Sequence, residues 1–288
     1  MKSGILLDSY RLPLIRGLEA AAAAGVDGVQ FYAKGGQEEF TLRTAEELRA
    51  FRREAETLHL ELAALCMELG GHGFRNSAEN PAKLAAAEAV LHIAGQLEIP
   101  VVTTHIGVIP ALPNSPIYAE MLRSMRQLGG TAARRGITIG IETGPEQPEI
   151  LRGFIERCGE GVGVNLDPAN LVMVLGCDPV HAIDVLGDYV VHTHFKDGVH
   201  YRDCEPERVY DAFAAGGFEA LQRETGELFA ETAPGTGSVD FPAYLAALRR
   251  IGYDGYLTVE REAGKDSVAD VNSAAAFLKQ LLKEGERR

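Results

Sequence analysis

Between Ile137 and Gly198 the chain repeats one pattern three times. ITIGIETG (137–144), GVGVNLDPAN (161–170) and YVVHTHFKDG (189–198) each begin as a short apolar run and break into polar residues. Runs this short and this rich in Val and Ile read as strands buried on both faces. The stretches between them read as helices. Strand–helix alternation of this kind predicts a parallel sheet.

Five further runs of the same type extend the pattern outward: Gly4–Leu7, Val26–Tyr32, Leu60–Cys66, Val101–Ile106 and Gly255–Val259. With Ile137–Ile141, Gly161–Leu166 and Tyr189–Phe195 they make eight candidate strands. Asn80-Pro81 predicts an N-cap and first-turn proline for a helix with Leu84, Ala87, Leu91, Ala94 and Leu97 on one face. Asp240 caps a helix carrying Tyr244, Leu248 and Ile251, with Gly252 as its stop. A last helix carries Val268, Val271, Ala275, Leu278 and Leu282. Eight strand–helix units in 288 residues fit an α/β fold with one closed (β/α)₈ TIM barrel. A doubly wound open sheet is the alternative that pattern leaves open. No linker or composition shift divides the chain, so residues 1–288 read as a single domain. One connection stands apart, from Asp197 to about Glu227. A long connection after a barrel strand is expected to cover the active site or to form an interface between copies of the chain.

The 28 Lys and Arg against 41 Asp and Glu give a net charge of −13. That balance speaks against a nucleic-acid or anionic-lipid partner. With 46% hydrophobic residues the chain can bury a large core. Cys66, Cys158, Cys177 and Cys204 have neither metal-ligand spacing nor the density of a disulfide framework, so a reduced, cytoplasmic setting is expected. Asp8 and Arg11 interrupt any signal-peptide core, and no apolar run is long enough to span a membrane.

In a barrel, catalytic side chains come from the C-terminal ends of the strands. The third candidate strand ends near Glu68 and the fourth near His105. The fifth ends with Glu142 and the sixth with Asp167. The seventh ends with His192, His194, Lys196 and Asp197, and the eighth with Glu260 and Glu262. Carboxylate, carboxylate, imidazole and carboxylate thus reach one rim from four successive strands. Carboxylates buried together raise each other's pKa, and a divalent cation resolves that conflict. Three oxygen donors and one nitrogen suit Mn²⁺ first, with Mg²⁺ or Co²⁺ next and Zn²⁺ as a further candidate. His192 and His194 share a strand face, as do Glu260 and Glu262. The Arg pairs 52–53, 134–135 and 249–250 read as solvated helix faces, and PGTG (234–237) as a turn into the helix at Asp240, since it lacks the GK[ST] of a phosphate-binding loop.

IETG, NLDPANL, HTHFKDG, PGTGSVDF and GYDGYLTVERE together resemble the xylose-isomerase-like barrel superfamily, which includes sugar isomerases, ketose 3-epimerases, inosose dehydratases and endonuclease IV-type repair enzymes. The resemblance runs from GVDGVQFY to the last strand. It implies that the metal ligands are Glu142, Asp167, His194 and Glu260, with Glu262 as a rival to Glu260. Epimerases of the family often carry a histidine where this chain has Asn170, which can bond a substrate hydroxyl but cannot shuttle a proton. The repair endonucleases need histidines where Asn170 and Glu68 stand, so a three-zinc nuclease is not expected.

The implied reaction is a sugar isomerisation or epimerisation. A metal beside the substrate carbonyl acidifies the neighbouring C–H, and Glu142 and Glu260 serve as the acid/base pair. Proton return to the same carbon gives epimerisation, and return to the neighbouring carbon gives isomerisation. Loss of a β-hydroxyl gives dehydration, so an inosose-type dehydratase is the alternative. A non-catalytic sugar-binding barrel is a third reading. Glu68, His105, Asn170 and Lys196 are expected to touch the small-molecule sugar. Arg202 and Arg208 are within reach of the mouth, and Glu146 is expected to be a solvent-exposed loop carboxylate.

Overall fold

The eight apolar runs pair side by side in chain order and close on themselves. The computed structural model describes residues 1–286. The strands are β1 (Lys2–Leu6), β2 (Gly28–Lys34), β3 (Glu61–Met67), β4 (Val101–Thr104), β5 (Thr138–Glu142), β6 (Val162–Leu166), β7 (Val190–Phe195), β8 (Asp197–His200), β9 (Phe229–Thr232) and β10 (Tyr256–Val259). All except β8 and β9 form one closed parallel barrel, β10 lying between β7 and β1. The helices are α1 (Leu14–Ala24), α2 (Ala45–Thr57), α3 (Asn80–Leu97), α4 (Pro116–Ala133), α5 (Pro148–Cys158), α6 (Pro168–Leu175), α7 (Pro179–Leu186), α8 (Pro206–Ala214), α9 (Phe218–Thr225), α10 (Phe241–Arg250) and α11 (Ser267–Glu286). The (β/α)₈ barrel is therefore the fold, and the open sheet is excluded by the β1–β2 and β1–β10 pairings.

Alternation along the strands sorts the side chains. Phe31 packs on Phe40 and on Phe51 of α2, with ring centroids 4.9 Å apart in both pairs. Phe195 packs on Phe241 of α10 at 4.2 Å. The inner positions of the barrel are polar instead. Gln30 of β2 donates to Thr103 Oγ1 of β4 and to Cys66 Sγ of β3, both at 2.9 Å. Its Oε1 lies 3.1 Å from His192 Nε2 of β7, and that nitrogen lies 3.0 Å from Thr258 Oγ1 of β10. A polar column thus runs up the barrel axis toward the C-terminal rim.

Two local expectations change. Asn80 sits inside the first turn of α3 rather than capping it. Its buried amide instead donates to Phe74 O at 3.0 Å and to Glu120 Oε1 at 2.6 Å. The connection after β7 is not a loop. β8 pairs antiparallel with β9, from Asp197↔Thr232 to His200↔Phe229, and α8 and α9 lie between them over a small core of Val209, Leu221 and Leu228. Asp240 does cap α10, accepting from the Ala243 N–H at 3.0 Å. Among the described residues no single helix is long and apolar enough to cross a membrane.

Candidate metal centre

Four barrel strands deliver one cluster. Glu142 is the last residue of β5 and lies in register with Asn165 of β6. Asp167 follows β6 as the N-cap of α6, its Oδ1 accepting from the Asn170 N–H at 2.8 Å. That bond holds one carboxylate oxygen and turns the other toward the barrel axis. His194 lies one residue before the end of β7, and Glu260 directly follows β10. One donor atom from each of Glu142, Asp167, His194 and Glu260 lies within 4.8 Å of the others, and all four residues are buried. His194 Nδ1 stands 3.0 Å from Glu260 Oε2, 3.2 Å from Asp167 Oδ2 and 3.7 Å from Glu142 Oε1.

The surroundings fix the orientation of each donor. Asn165 Nδ2 donates to Glu142 Oε2 at 3.2 Å, and Asn170 Nδ2 to Glu142 Oε1 at 3.1 Å. The first bond turns the Asn165 amide nitrogen toward the cluster, and its buried Oδ1 has no partner among the described residues. His194 Nε2 stands 3.2 Å from Gln30 Oε1 and 3.3 Å from Asn165 Nδ2, so with its proton on Nε2 it has Gln30 Oε1 as acceptor. Nδ1 is left facing the carboxylates, a division of roles set by a neighbouring hydrogen bond. Lys196 Nζ donates to Glu260 Oε2 at 3.0 Å and to Glu262 Oε2 at 2.6 Å.

Burial and mutual charge shift these groups strongly. Burial pushes the Glu142 carboxyl up, against the pull of His105 and His194. Burial acts the same way on Glu260, but Lys196 and His194 outweigh it and hold that carboxyl well below its usual range. Burial would lower His194, yet Glu260, Glu142 and Asp167 keep its imidazole well above its usual value. His192, one layer deeper, is depressed to about 3 by burial and by His194, so it is neutral.

Two residues of the cluster, Glu142 and Glu260, reach a cavity of about 670 Å³ that Glu68, His105, Asn170 and Lys196 also line. Each expected substrate contact thus faces the cavity, though with different partners. Glu68 Oε1 accepts from the Gly70 N–H at 2.7 Å and holds its own loop. His105 Nε2 lies 3.8 Å from Glu142 Oε1. Glu262 is not part of the cluster; its side chain is 68% exposed and serves Lys196. Arg202 and Arg208 do not line the cavity, since Arg202 binds Thr225 O at 3.1 Å and Arg208 pairs with Glu224 at 2.7 Å. Arg75, from the loop after β3, lines it instead.

Glu146 departs most from expectation. It is 5% exposed on the cavity wall, not solvated. Burial pushes its carboxyl up to about 8, only partly countered by the Ile109 N–H. Its folded value lies above the usual 4.5. The stability it contributes is therefore complete below about pH 4.5 and lost as pH rises toward 8. Urea unfolding of wild type and Glu146→Gln across that window is expected to show a wild-type decline of at most about 5 kcal/mol that the variant lacks. Parallel profiles would mean that Glu146 ionises freely. No sequence pattern marks this residue, whereas Gln30 has one: a lone amide within the apolar strand GVQFY.

With this geometry in place, the likenesses to other proteins can be read. Residues 18–281 match the family model of the xylose isomerase-like TIM barrel. Over 153 residues the chain is 31% identical to an inosose dehydratase of Lacticaseibacillus casei, a match covering 50% of this chain and 47% of that protein. The chain thus spans about half the length of the curated relatives it matches. The crystal structure of a xylose isomerase domain protein from Planctomyces limnophilus superposes with a TM-score of 0.75 at 27% identity, covering 93% of this chain and 91% of that one. D-psicose 3-epimerase from Clostridium cellulolyticum H10, solved with D-tagatose, superposes with a TM-score of 0.74 at 14% identity, covering 98% and 99% of the two chains. At that identity the likeness is one of fold.

Proposed function

The chain belongs to the xylose isomerase-like TIM barrel family, and from that premise we propose that it is a divalent-metal-dependent sugar isomerase or epimerase. One observation carries the reading: a buried imidazole and three buried carboxylates, each delivered by a different strand, converge, and two of them, Glu142 and Glu260, open onto a ligand-sized cavity. The donor set fits a hard divalent cation. The donor atoms lie within 4.8 Å of one another, with His194 Nδ1 3.0–3.7 Å from the three carboxylates, spacings that ligands of one hard divalent cation at about 2.1 Å would have. Glu142, Asp167, His194 and Glu260 would hold the ion, with Mn²⁺ the first candidate and Mg²⁺, Co²⁺ or Zn²⁺ behind it. Bound there, the cation would polarise a substrate carbonyl and offset the charge that develops as the neighbouring C–H ionises.

The chain's own residues do the rest. Glu142 and Glu260 come from β5 and β10, which β6 and β7 separate in the barrel, so they address a substrate from two sides. One takes the carbon-bound proton on its carboxylate oxygen and the other returns it. Lys196 Nζ, beside Glu260 Oε2, is placed to donate to a substrate oxygen. Asn170 holds Glu142 and offers a hydroxyl contact, and His105 and Glu68 bound the opening. The four free cysteines accord with a cytoplasmic setting.

An inosose-type dehydratase on the same residues is the second reading. It is favoured by the 31% identity over 153 residues and by Asn170, which cannot shuttle a proton.

Elemental mass spectrometry after Mn²⁺ loading tests the proposal. About one metal per chain is expected in wild type, and none in His194→Ala. Ketoses are then screened in deuterated water for exchange of a carbon-bound hydrogen, and the products for loss of one water, which separates isomerase from dehydratase. No metal under any loading condition would overturn the mechanism and leave a binding barrel. Gln30→Ala is expected to weaken Mn²⁺ binding about 10–100-fold by calorimetry, because His194 loses the acceptor that orients it. Unchanged affinity would show that the imidazole is held by other contacts.

A further inference from the structure

Among the described residues, seven carboxyl side chains line the cavity, against two permanent cations, Arg75 and Lys196. Both cations already have carboxylate partners, and Lys196 keeps one N–H for a neutral substrate oxygen. Arg75 pairs with Glu207 and faces Asp211, its NH1 3.8 Å from Oδ1. Buried Lys196 already faces Glu260 and Glu262. Of the lining histidines, His72 pairs with Asp211 at 3.0 Å and His105 faces Glu142. A divalent ion on the cluster would offset the floor carboxylates, and of the others Asp211, Glu231 and Glu262 already pair with cations, which leaves Glu68 as the ionised wall carboxylate without one. A phosphate or carboxylate ligand would enter an acidic cavity and would have to take Lys196 or Arg75 from existing partners, leaving carboxylates unpaired.

The wall formed by α8, α9 and β9 has the opposite character. Tyr210, Phe213, Phe218 and Phe229 all line it. Phe213 stacks on Phe218 with centroids 4.2 Å apart and planes at 17°, and Phe218 on Phe229 at 5.3 Å and 26°. Phe213 is nevertheless 49% exposed. Tyr210, Phe218 and Phe229 are half-buried, so Phe213 is the open end of the row and the apolar surface it offers to the cavity has no partner. The volume of about 670 Å³ also falls within the range of about 300–1,000 Å³ typical of sites for drug-sized ligands. That is room for more than an open-chain sugar.

We infer that the substrate is an uncharged carbohydrate, not a sugar phosphate or sugar acid, bearing an apolar ring face or substituent that packs on Phe213 and Phe218. This rests on the metal-centre reading for where the reactive carbons sit. The hydroxylated end meets the acidic floor, where carboxylates accept from hydroxyls, and the apolar end meets the aromatic row.

Saturation-transfer difference NMR on the Mg²⁺-loaded protein tests it with three probes: D-fructose, D-fructose 6-phosphate and phenyl β-D-glucopyranoside. The two neutral probes are expected to bind, the glucoside more tightly, and both at least about tenfold more tightly than the phosphate. Phe213→Ala is expected to weaken the glucoside about fivefold and to leave D-fructose within about twofold. Binding of the phosphate as tight as that of D-fructose overturns the inference, as does silence from all three probes or a glucoside unaffected by Phe213→Ala. Metal binding is measured on the same samples. A protein that takes no metal yet prefers the neutral probes would lose the proposed reaction and keep this substrate class. One that takes metal and prefers the phosphate would lose only the inference.

Discussion

Glu142→Gln is expected to slow exchange of the substrate's carbon-bound hydrogen by about 10²–10⁴-fold at saturating Mn²⁺, the range attributable to a positioned general acid or base. The amide keeps the shape of the side chain and removes its ability to take a proton. It also disturbs two contacts, because Asn165 and Asn170 each donate to a different oxygen of Glu142 and a glutamine offers only one acceptor. Metal content must therefore be measured beside rate. If excess Mn²⁺ restores occupancy but not exchange, Glu142 moves the proton. If occupancy restores the rate in full, Glu142 is a ligand alone and the acid/base assignment is wrong. Glu142→Asp sharpens the distinction. It keeps the carboxylate and withdraws it by one methylene, so partial activity is expected, near the roughly 10²-fold loss that follows a displacement of about 1 Å.

The barrel and the four residues of its cluster were legible from where the strands end. Glu142, Asp167 and Glu260 each sit where an apolar strand stops, and the C-terminal end of a barrel strand is where such residues meet. His192 and His194 share a strand face, and His194 is the one nearer the rim. The structure separates them by layer: His192 bonds Gln30 and Thr258 inside the barrel, and His194 reaches the carboxylates. Glu260 and Glu262 differ by distance past the strand, the first still within the barrel rim and the second already beyond it. Apart from Gln30 on β2, what escaped the sequence lies on loops or within the insertion between β7 and β10. Burial there follows from tertiary contact and leaves no period to read. Glu146 and the aromatic row of Tyr210, Phe213, Phe218 and Phe229 are of this kind. Asn80 shows the converse: its residue type fits a cap, but the fold uses its amide to tie α3 to Phe74 and to Glu120 of α4.

Asp197→Ala is expected to destabilise the protein by roughly 4 kcal/mol or more, since a buried donor left without a partner costs about 1–3 kcal/mol. Asp197 is fully buried and has no salt-bridge partner among the described residues. Backbone amides neutralise it instead. Oδ1 accepts from Gly198 N at 2.8 Å and Val239 N at 3.1 Å, and Oδ2 from Gly235 N at 2.9 Å and Gly237 N at 2.8 Å. Such a ring of N–H groups is a concavity built for an anion, here filled by the chain's own side chain. It requires close approach, because a Cβ at Gly237 would stand 2.3 Å from Asp197 Oδ1. PGTG is therefore a turn that wraps a carboxylate. Since Asp197 follows Lys196, the same anchor fixes the chain beside the cluster. Asp197→Asn should cost about half as much as the alanine, because one oxygen still serves one pair of amides while the new NH₂ confronts the other pair. Urea unfolding measures both variants, and hydrogen exchange at Gly235 and Gly237 shows whether the loss begins in this loop. A loss under about 1 kcal/mol for the alanine variant would mean that water replaces the carboxylate at little cost, and the turn would then owe its shape to its own glycines.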